Sequence, residues 1–297
     1  MSRRRKGRPV HGWVVLDKPL GKTSTQALGA VRRLLDADKA GHAGTLDPLA
    51  TGVLPIALGE ATKTVPFIQD GRKVYTFTVR WGDATDTDDA AGAVIATSAV
   101  RPTREAIEAA LPGFIGEQQQ TPPIYSAIKV AGQRAYDLAR AGTEFVLDAR
   151  PVVIDSLVLL ESGPDSATLA MECGKGTYVR VVARDLAQAL GTVGHVAALR
   201  RTRVGPWSEA AAISLETLGK LVLSAAPEAY LHPVAAALAD IPALALTEGE
   251  AQRLRAGQAV RVANAAPGAV CAMANGLPIA VARVLDGEVR PLRVFNF

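Results

Sequence analysis

The sequence predicts an α+β fold, in which a mostly antiparallel mixed sheet with flanking helices is followed by a small C-terminal β-barrel. Strand-like and helix-like segments alternate irregularly, without the strict strand–helix–strand rhythm of a parallel sheet. Residues 74–81 and 166–173 alternate apolar and polar side chains, as a strand with one buried face does. Near the C-terminus, short apolar segments are separated by glycine-containing turns at 267–268, 275–276 and 286–287, which is typical of a small antiparallel barrel.

The first half of the chain begins with a strand at residues 12–16 and a helix that Ser24 is expected to cap. The apolar positions of this helix recur at helical spacing at Ala27, Leu28, Val31, Leu34 and Leu35. A second helix is predicted over residues 103–111, where a proline follows, and a third over residues 133–141, closed by a glycine.

The second half is predicted to continue with strands at 151–160 and 166–173, a glycine turn, and a helix at 178–190 that ends at Gly191. An Ala- and Leu-rich stretch broken by prolines then leads to a domain boundary. Thr247 and Glu250 have the spacing of a capping box at the start of a short helix. We therefore expect a basic tail at 1–9, a large domain at 10–238 and a small domain at 239–297.

The composition excludes several classes of protein. The 297 residues are 48% hydrophobic, but no apolar run approaches the roughly 18 residues of a membrane span. Two lone cysteines predict a reducing compartment, so we expect a cytoplasmic protein, and neither Cys nor His has zinc-ligand spacing. The net charge of +4 is modest, but basic residues cluster at 3–8 and 200–203, as expected for contact with a phosphate backbone.

The segment 41–55 is the most informative part of the chain. It holds one acidic residue, Asp47, in a stretch that also contains three glycines and two prolines. Glycine permits backbone conformations closed to other residues and proline fixes φ, so such a loop can hold a carboxylate rigidly at the edge of a cleft. The alternative interpretation is an ordinary turn in which Asp47 bonds its own backbone.

Seven segments follow one another in one order between about residues 10 and 218: Asp17-Lys18-Pro19, the Asp47 segment, Tyr75 at the start of a strand, residues 85–89, residues 122–129, residues 173–180 and Leu199-Arg200-Arg201. Together they resemble the signatures of the TruB family of tRNA pseudouridine synthases. The C-terminal domain resembles the PUA-type RNA-binding domain in position and size.

The resemblance implies that the chain isomerises uridine, by breaking the N1–C1′ bond, turning the base and joining C5 to C1′. No redox change occurs and no group is added, so neither cofactor nor metal is expected. The resemblance assigns Asp47 as the catalytic carboxylate and Arg180 as the cation that keeps it ionised. It places Tyr75 against the flipped uracil, makes Tyr178 a candidate acceptor of the C5 proton, and packs Leu199 on the base. From the residues alone, Tyr75 also suits a core position.

Further substrate-binding residues follow from the same resemblance. It implies that His42, beside the Asp47 loop, fills the space left by the flipped base, and that Lys18 and Lys129 lie near the substrate or structural loops. It places Asp89 near the cleft, and it gives Arg200 and Arg201 phosphate contacts.

We therefore expect a monomeric tRNA pseudouridine synthase that acts on the T arm, at the uridine conventionally numbered 55. Two other functions remain open at this stage. One is a tRNA-binding chaperone without catalysis, and the other is a magnesium-dependent nuclease that uses the acidic residues Asp83, Asp86, Asp88 and Asp89. Guide-RNA-dependent modification is less favoured, because the chain is short and lacks a long lysine-rich tail.

Overall fold

The computed structural model describes residues 7–126, 128–130, 132–143 and 145–297, without the side chains of Lys129 and Arg134. The strands are β1 (Gly12–Lys18), β2 (Ala40–His42), β3 (Ala50–Leu58), β4 (Lys73–Trp81), β5 (Asp83–Thr85), β6 (Val94–Thr97), β7 (Gly116–Gln120), β8 (Lys129–Val130), β9 (Gln133–Arg134), β10 (Arg150–Ser162), β11 (Ser166–Cys173), β12 (Gly194–Val204), β13 (Trp207–Ser208), β14 (Ala243–Ala245), β15 (Val260–Arg261), β16 (Gly268–Ala274), β17 (Leu277–Leu285) and β18 (Glu288–Val294). The helices are α1 (Ser24–Leu34), α2 (Val65–Asp70), α3 (Arg104–Ala110), α4 (Ala135–Arg140), α5 (Val179–Ala189), α6 (Leu215–Ser224) and α7 (Glu248–Arg255).

The large sheet confirms the predicted α+β class. Its strand order is β1-β3-β12-β4-β11-β10-β7, with β2 paired to β3 and β13 paired to β12. Within the described ranges, only β3 and β12 of this sheet run parallel, and the other pairs are antiparallel. The parallel pair puts β12 between two strands from the first third of the chain. This pairing brings together the segments that carry the candidate site.

The alternating strands pack as their sequences predict. On β4 every second side chain is buried, and the row continues across the sheet on β11. Helix α5 packs on β12 and carries buried valine and leucine side chains into the same core. Leu46, Tyr75 and Val179 belong to this core and also line the candidate site.

Helix α1 begins one residue earlier than its sequence suggests. Thr23, not Ser24, is the N-cap: its hydroxyl accepts from the Gln26 N–H, and the Gln26 side chain accepts from the Thr23 N–H. The expectation for Ser24 was wrong because both residues are good caps and only the capping-box partner at Gln26 separates them. Ser24 is buried, and its hydroxyl hydrogen bonds with the backbone of Leu46 in the loop that carries Asp47.

Strands β3 and β12 were not predicted, for a common physical reason. Residues 50–58 contain a glycine and a proline, and residues 199–203 contain three arginines, so neither segment has a clean strand pattern. Each becomes a strand because the other lies beside it, with Leu199, Arg200 and Arg201 opposite Ala50, Thr51 and Gly52.

The C-terminal part forms a separate five-stranded sheet, in the described residues, with the order β14-β16-β17-β18-β15. Helix α7 starts with the predicted capping box of Thr247 and Glu250 and packs against β16, β17 and β18. Apolar residues of α7 and of the sheet make their own core, which includes Leu254, Val270 and Val289. This arrangement agrees with a PUA-like domain.

A third apolar cluster joins the two sheets. Trp13 and Trp207 of the large domain pack in one cluster with Val281 and Phe295 of the small one. Polar contacts reinforce the junction, because Lys63 Nζ donates to the Val294 carbonyl at 2.8 Å. The shared core couples the small sheet to the large domain. No helix among the described residues is long and apolar enough to cross a bilayer.

The shared core leads to a stability prediction for Phe295, which is 2% exposed. We expect Phe295→Ala to lower the free energy of unfolding by about 3–5 kcal/mol, because it removes a buried ring and leaves a cavity. Phe297→Ala, at a 59% exposed ring, is the control and should cost within about 0.5 kcal/mol. Urea unfolding followed by tryptophan fluorescence measures both. Equal losses would contradict the shared core.

Candidate active site

The loop of residues 43–49 joins β2 to β3 and carries Asp47. The Ser24 hydroxyl donates to the Leu46 carbonyl at 2.9 Å and accepts from the Leu46 N–H at 2.8 Å. On the other side of the aspartate, the Gly21 N–H donates to the Pro48 carbonyl at 2.8 Å. These bonds fix the backbone before and after Asp47, so its carboxylate is held in place although the side chain is 38% exposed.

Arg180 pairs with Asp47 and is almost completely buried. Its Nε lies 3.0 Å from Asp47 Oδ2. Its other two nitrogens donate to backbone carbonyls, Nη1 to Thr87 at 2.8 Å and Nη2 to Tyr125 at 2.9 Å. A guanidinium with three fixed partners holds the carboxylate in one orientation. The same side chain also fastens two loops that come from different parts of the chain.

Asp89 lies behind this pair, with Oδ2 3.9 Å from Arg180 Nε. Its other oxygen, Oδ1, accepts from the Thr87 hydroxyl at 2.7 Å and from the Ala91 N–H at 3.0 Å. Asp89 therefore shapes the loop that offers the Thr87 carbonyl to Arg180. The structure places it beside the cleft, as the resemblance implied, and gives it a basic neighbour.

Asp88 and Asp86, the neighbouring acids, also face protein groups. Asp88 Oδ2 lies 3.2 Å from Arg184 Nη1, and Asp86 Oδ1 accepts from the Ala93 N–H at 2.9 Å. Burial raises the pKa of Asp88, and the charges of Arg184 and Arg180 oppose that rise. Asp86 and Asp88 therefore both make contacts within the protein.

Tyr75 lies on the core-facing row of β4, where that row reaches the cavity. Phe77, Val79 and Trp81 of the same row are buried in the core, so the core interpretation and the pocket interpretation both describe this residue. Burial raises the pKa of the Tyr75 hydroxyl, and the Arg201 guanidinium opposes part of the rise.

Tyr178 stands at the N-cap of α5, immediately after the glycine turn. The turn closes through the Thr177 hydroxyl, which donates to the Gly174 carbonyl at 3.2 Å. The Tyr178 N–H donates to Gln120 Oε1 at 3.0 Å, which fixes the backbone from the β7 side. Burial raises the pKa of the Tyr178 hydroxyl, and the charge of Arg180 opposes that rise.

These side chains surround one cavity of about 400 Å³. Of the residues predicted from the sequence, it is lined by Asp47, Tyr75, Tyr178, Arg180, Leu199 and Arg201. The lining combines the carboxylate and its arginine with aromatic and apolar side chains. The arrangement offers a planar ring a surface on which to pack, beside a fixed carboxylate.

Lys18 lies below the loop and is fully buried. Its Nζ donates to the carbonyls of Lys22 at 2.6 Å, Pro19 at 3.0 Å and Pro48 at 3.4 Å. Burial lowers its pKa to about 8, and the charge of Asp47 acts in the opposite direction. The structure places Lys18 under the Asp47 loop, where it contacts backbone carbonyls.

Three other predicted residues lie at the edges of the site or outside its description. His42 lies on β2, away from the cavity lining, and burial lowers the pKa of its ring, aided by the charge of Arg201. Arg200 makes a bidentate pair with Asp17, at 3.1 Å for each contact, and also pairs with Glu209. The side chain of Lys129 lies outside the described residues.

Lys73, Ser126 and Ser24 were missed by the sequence analysis. Lys73 is buried and lines the cavity, and its Nζ donates to the Gly71 carbonyl at 2.6 Å. Burial lowers its pKa to about 8. Its position in the sequence could have predicted this. Lys73 lies two residues before Tyr75, and side chains two residues apart on a strand point to the same face. Ser126 lines the same cavity, and it lies in the segment 122–129 that carries the family resemblance, although the resemblance gave it no role.

Gly52 leads to a second stability prediction, because β3 passes close to Arg201 there. Its φ is +97°, and a Cβ would lie 2.2 Å from the Arg201 carbonyl oxygen. We expect Gly52→Ala to cost more than about 3 kcal/mol, since it combines a left-handed backbone with a clash that only backbone movement relieves. Gly191→Ala is the control, with φ +69° and open space around it, and should cost about 1 kcal/mol. Thermal unfolding compares them, and similar losses would refute the close approach.

Comparisons with known proteins agree with this fold. Residues 32–179 match the TruB family pseudouridylate synthase N-terminal domain, and residues 180–239 match the tRNA pseudouridylate synthase B C-terminal domain. The fold and the carboxylate-bearing cavity thus define a pseudouridine synthase. The tRNA pseudouridine synthase B of Caulobacter vibrioides is 56% identical, covering 100% of this chain and 99% of the relative. That of Rhodospirillum rubrum is 53% identical, covering 100% of both. The chain belongs to the TruB family, which confirms the resemblance.

Solved structures share the fold at lower identity. A Cbf5–Nop10–Gar1 complex has a chain that matches with a TM-score of 0.74 and 24% identity, over 96% of this chain and 84% of its own. An H/ACA ribonucleoprotein bound to a substrate RNA containing 2′-deoxyuridine matches with a TM-score of 0.75 and 21% identity, over 100% and 92%. At these identities the likeness supports the α+β architecture alone.

Proposed function

We propose that the chain is a tRNA pseudouridine synthase that converts the T-loop uridine, conventionally position 55, to pseudouridine. The observation that carries the proposal is the ion pair of Asp47 and Arg180 at the wall of a cavity that also contains Tyr75 and Tyr178. The relatives named tRNA pseudouridine synthase B support the substrate class.

The chemistry assigned to these residues is internal to the uridine. The N1–C1′ bond breaks, the uracil turns, C5 bonds to C1′, the C5 proton is lost and N1 regains a proton, so the atoms balance without a cofactor. Asp47 acts as an ionised carboxylate beside the sugar–base bond. Attack at C1′, attack at C6 and removal of the 2′ proton all require the carboxylate in this position. Tyr178 takes the C5 proton in this proposal.

The uracil reaches the cavity by base flipping, because its reacting atoms are covered within a stacked loop. Tyr75 and Leu199 then hold the flipped ring between apolar surfaces. Lys175, whose side chain is 69% exposed at the cavity edge, suits a phosphate contact nearby. The five-stranded C-terminal sheet is assigned to further contacts with the tRNA, and the enzyme is assigned to the cytoplasm as a monomer.

The test uses tRNA transcripts labelled with tritium at uridine C5 and counts the tritium that wild-type protein releases to water in the presence of EDTA. We expect one equivalent per tRNA, and none from a matched transcript with cytidine at position 55. Release that persists with the cytidine transcript would reject position 55. Tight tRNA binding without release would favour the chaperone function, and magnesium-dependent cleavage of the RNA would favour a nuclease.

A further inference from the structure

Arg201 is a buried arginine without a carboxylate partner among the residues that the structure describes. It is 1% exposed, whereas its neighbours on β12, Arg200 and Arg203, lie at the partly exposed surface and pair with Asp17 and Glu172. Burial of an unpaired charge costs free energy, so simple packing is a poor explanation for an arginine here. At 1% exposure its side chain offers little surface to an RNA phosphate, the contact that the sequence predicted.

Arg201 donates to backbone carbonyls on either side of Asp47 in the sequence. Nε donates to the Val53 carbonyl at 2.8 Å, and Nη2 donates to the Gly44 carbonyl at 2.9 Å. These two carbonyls flank the loop segment that carries Asp47. The contact is close, because a Cβ on Gly44, whose φ is +91°, would lie 3.2 Å from Arg201 Nη1. One side chain thus closes the loop across its base.

The same guanidinium reaches the aromatic side of the cavity. Arg201 lies opposite Tyr75 in the pairing of β12 with β4, and both side chains line the cavity. On its other side, Arg201 lies opposite Gly52 in the parallel pairing with β3. Its position in the middle of the sheet therefore connects the strand after the Asp47 loop with the strand that carries the tyrosine ring.

We propose that Arg201 is a positioning residue that fixes the Asp47 loop and the Tyr75 ring relative to each other. The inference rests on the proposed function, in which uracil packs on Tyr75 while Asp47 acts at the sugar–base bond. A misplacement of reacting groups by a fraction of an ångström lowers the rate of the chemical step far more than it weakens binding. Loss of the contact should therefore appear in kcat and not in KM.

The primary test is Arg201→Lys, which keeps the positive charge but has no planar fork with which to donate to the Gly44 and Val53 carbonyls at once. We expect single-turnover tritium release to slow by about 10- to 50-fold, with KM and the tRNA dissociation constant within about twofold. Arg104→Lys, in an exposed pair with Glu108, is the matched control and should keep the wild-type rate. Thermal unfolding shows whether each variant is folded.

A second variant disturbs the same contact at the loop residue instead of at Arg201, and it tests the inference if Arg201→Lys does not fold. Gly44→Ala places a methyl group beside Arg201 Nη1. It should slow release with unchanged tRNA affinity, and Gly191→Ala, which also has positive φ but lies in open space, should not.

Two outcomes overturn the inference while the proposed function stands. The first is wild-type release by folded Arg201→Lys. The second is weaker tRNA binding by that variant with a shallower salt dependence, which would make Arg201 a phosphate contact. If wild-type protein releases no tritium, the proposed function itself fails and the inference fails with it. The wild-type measurement therefore distinguishes a failure of the inference from a failure of the proposed function.

Discussion

Asp47→Asn is expected to reduce tritium release from C5-labelled tRNA by at least about 10³-fold, as removal of a central catalytic group does in other enzymes. The amide has nearly the same shape as the carboxylate, so the loop held by Ser24 and Arg201 should keep its conformation. It carries no charge, however, and can neither attack carbon nor accept a proton as a carboxylate does. Single-turnover assays at saturating protein measure the chemical step directly.

The tRNA affinity of Asp47→Asn is the internal control, and filter binding should place its dissociation constant within about twofold of wild type if the carboxylate acts only in the chemical step. Asp165→Asn is the matched variant, because Asp165 is an exposed carboxylate that pairs with Arg101 far from the cavity. It should release tritium at the wild-type rate. Release by Asp47→Asn at a rate near that of wild type would exclude Asp47 as the catalytic group.

Local signals predicted those parts of the fold whose structure depends on near neighbours. The alternation of residues 166–173 gave β11 with its observed bounds, and Gly191, with φ +69°, follows α5 as expected. The capping box of Thr247 and Glu250 is present because both partners lie within one helical turn. In each case the interaction that forms the element lies within a few residues of it.

The rest could not be predicted because it depends on pairing between distant segments. The run Arg200-Arg201-Thr202-Arg203 has the composition of a basic surface, and it predicted phosphate contacts. The structure inserts this segment between β3 and β4, which buries Arg201 while Arg200 and Arg203 stay partly exposed. A single sequence does not show which arginine of such a run faces the interior. Family resemblance located Asp47 and Arg180, but only the folded chain shows what holds them.

Arg180→Lys is expected to slow tritium release by about 10²-fold, the scale of a lost electrostatic partner in a preorganised site. Lysine has a single ammonium group, so it cannot donate at once to Asp47 and to the carbonyls of Thr87 and Tyr125. The carboxylate loses its fixed orientation, and two loops lose a common anchor. Because the side chain is buried, we also expect the free energy of unfolding to fall by about 2–4 kcal/mol.

Arg184→Lys is the matched control for that experiment, since it lies one turn later on α5 and pairs with Asp88 at 3.2 Å. It leaves Asp47 untouched, so its release rate should fall by no more than a few-fold. Combining Arg180→Lys with Asp47→Asn should slow release no further than Asp47→Asn alone, because groups that act as a unit are not additive. Additive losses would mean that Arg180 contributes by a route independent of the carboxylate, such as closing the Tyr125 loop on the RNA.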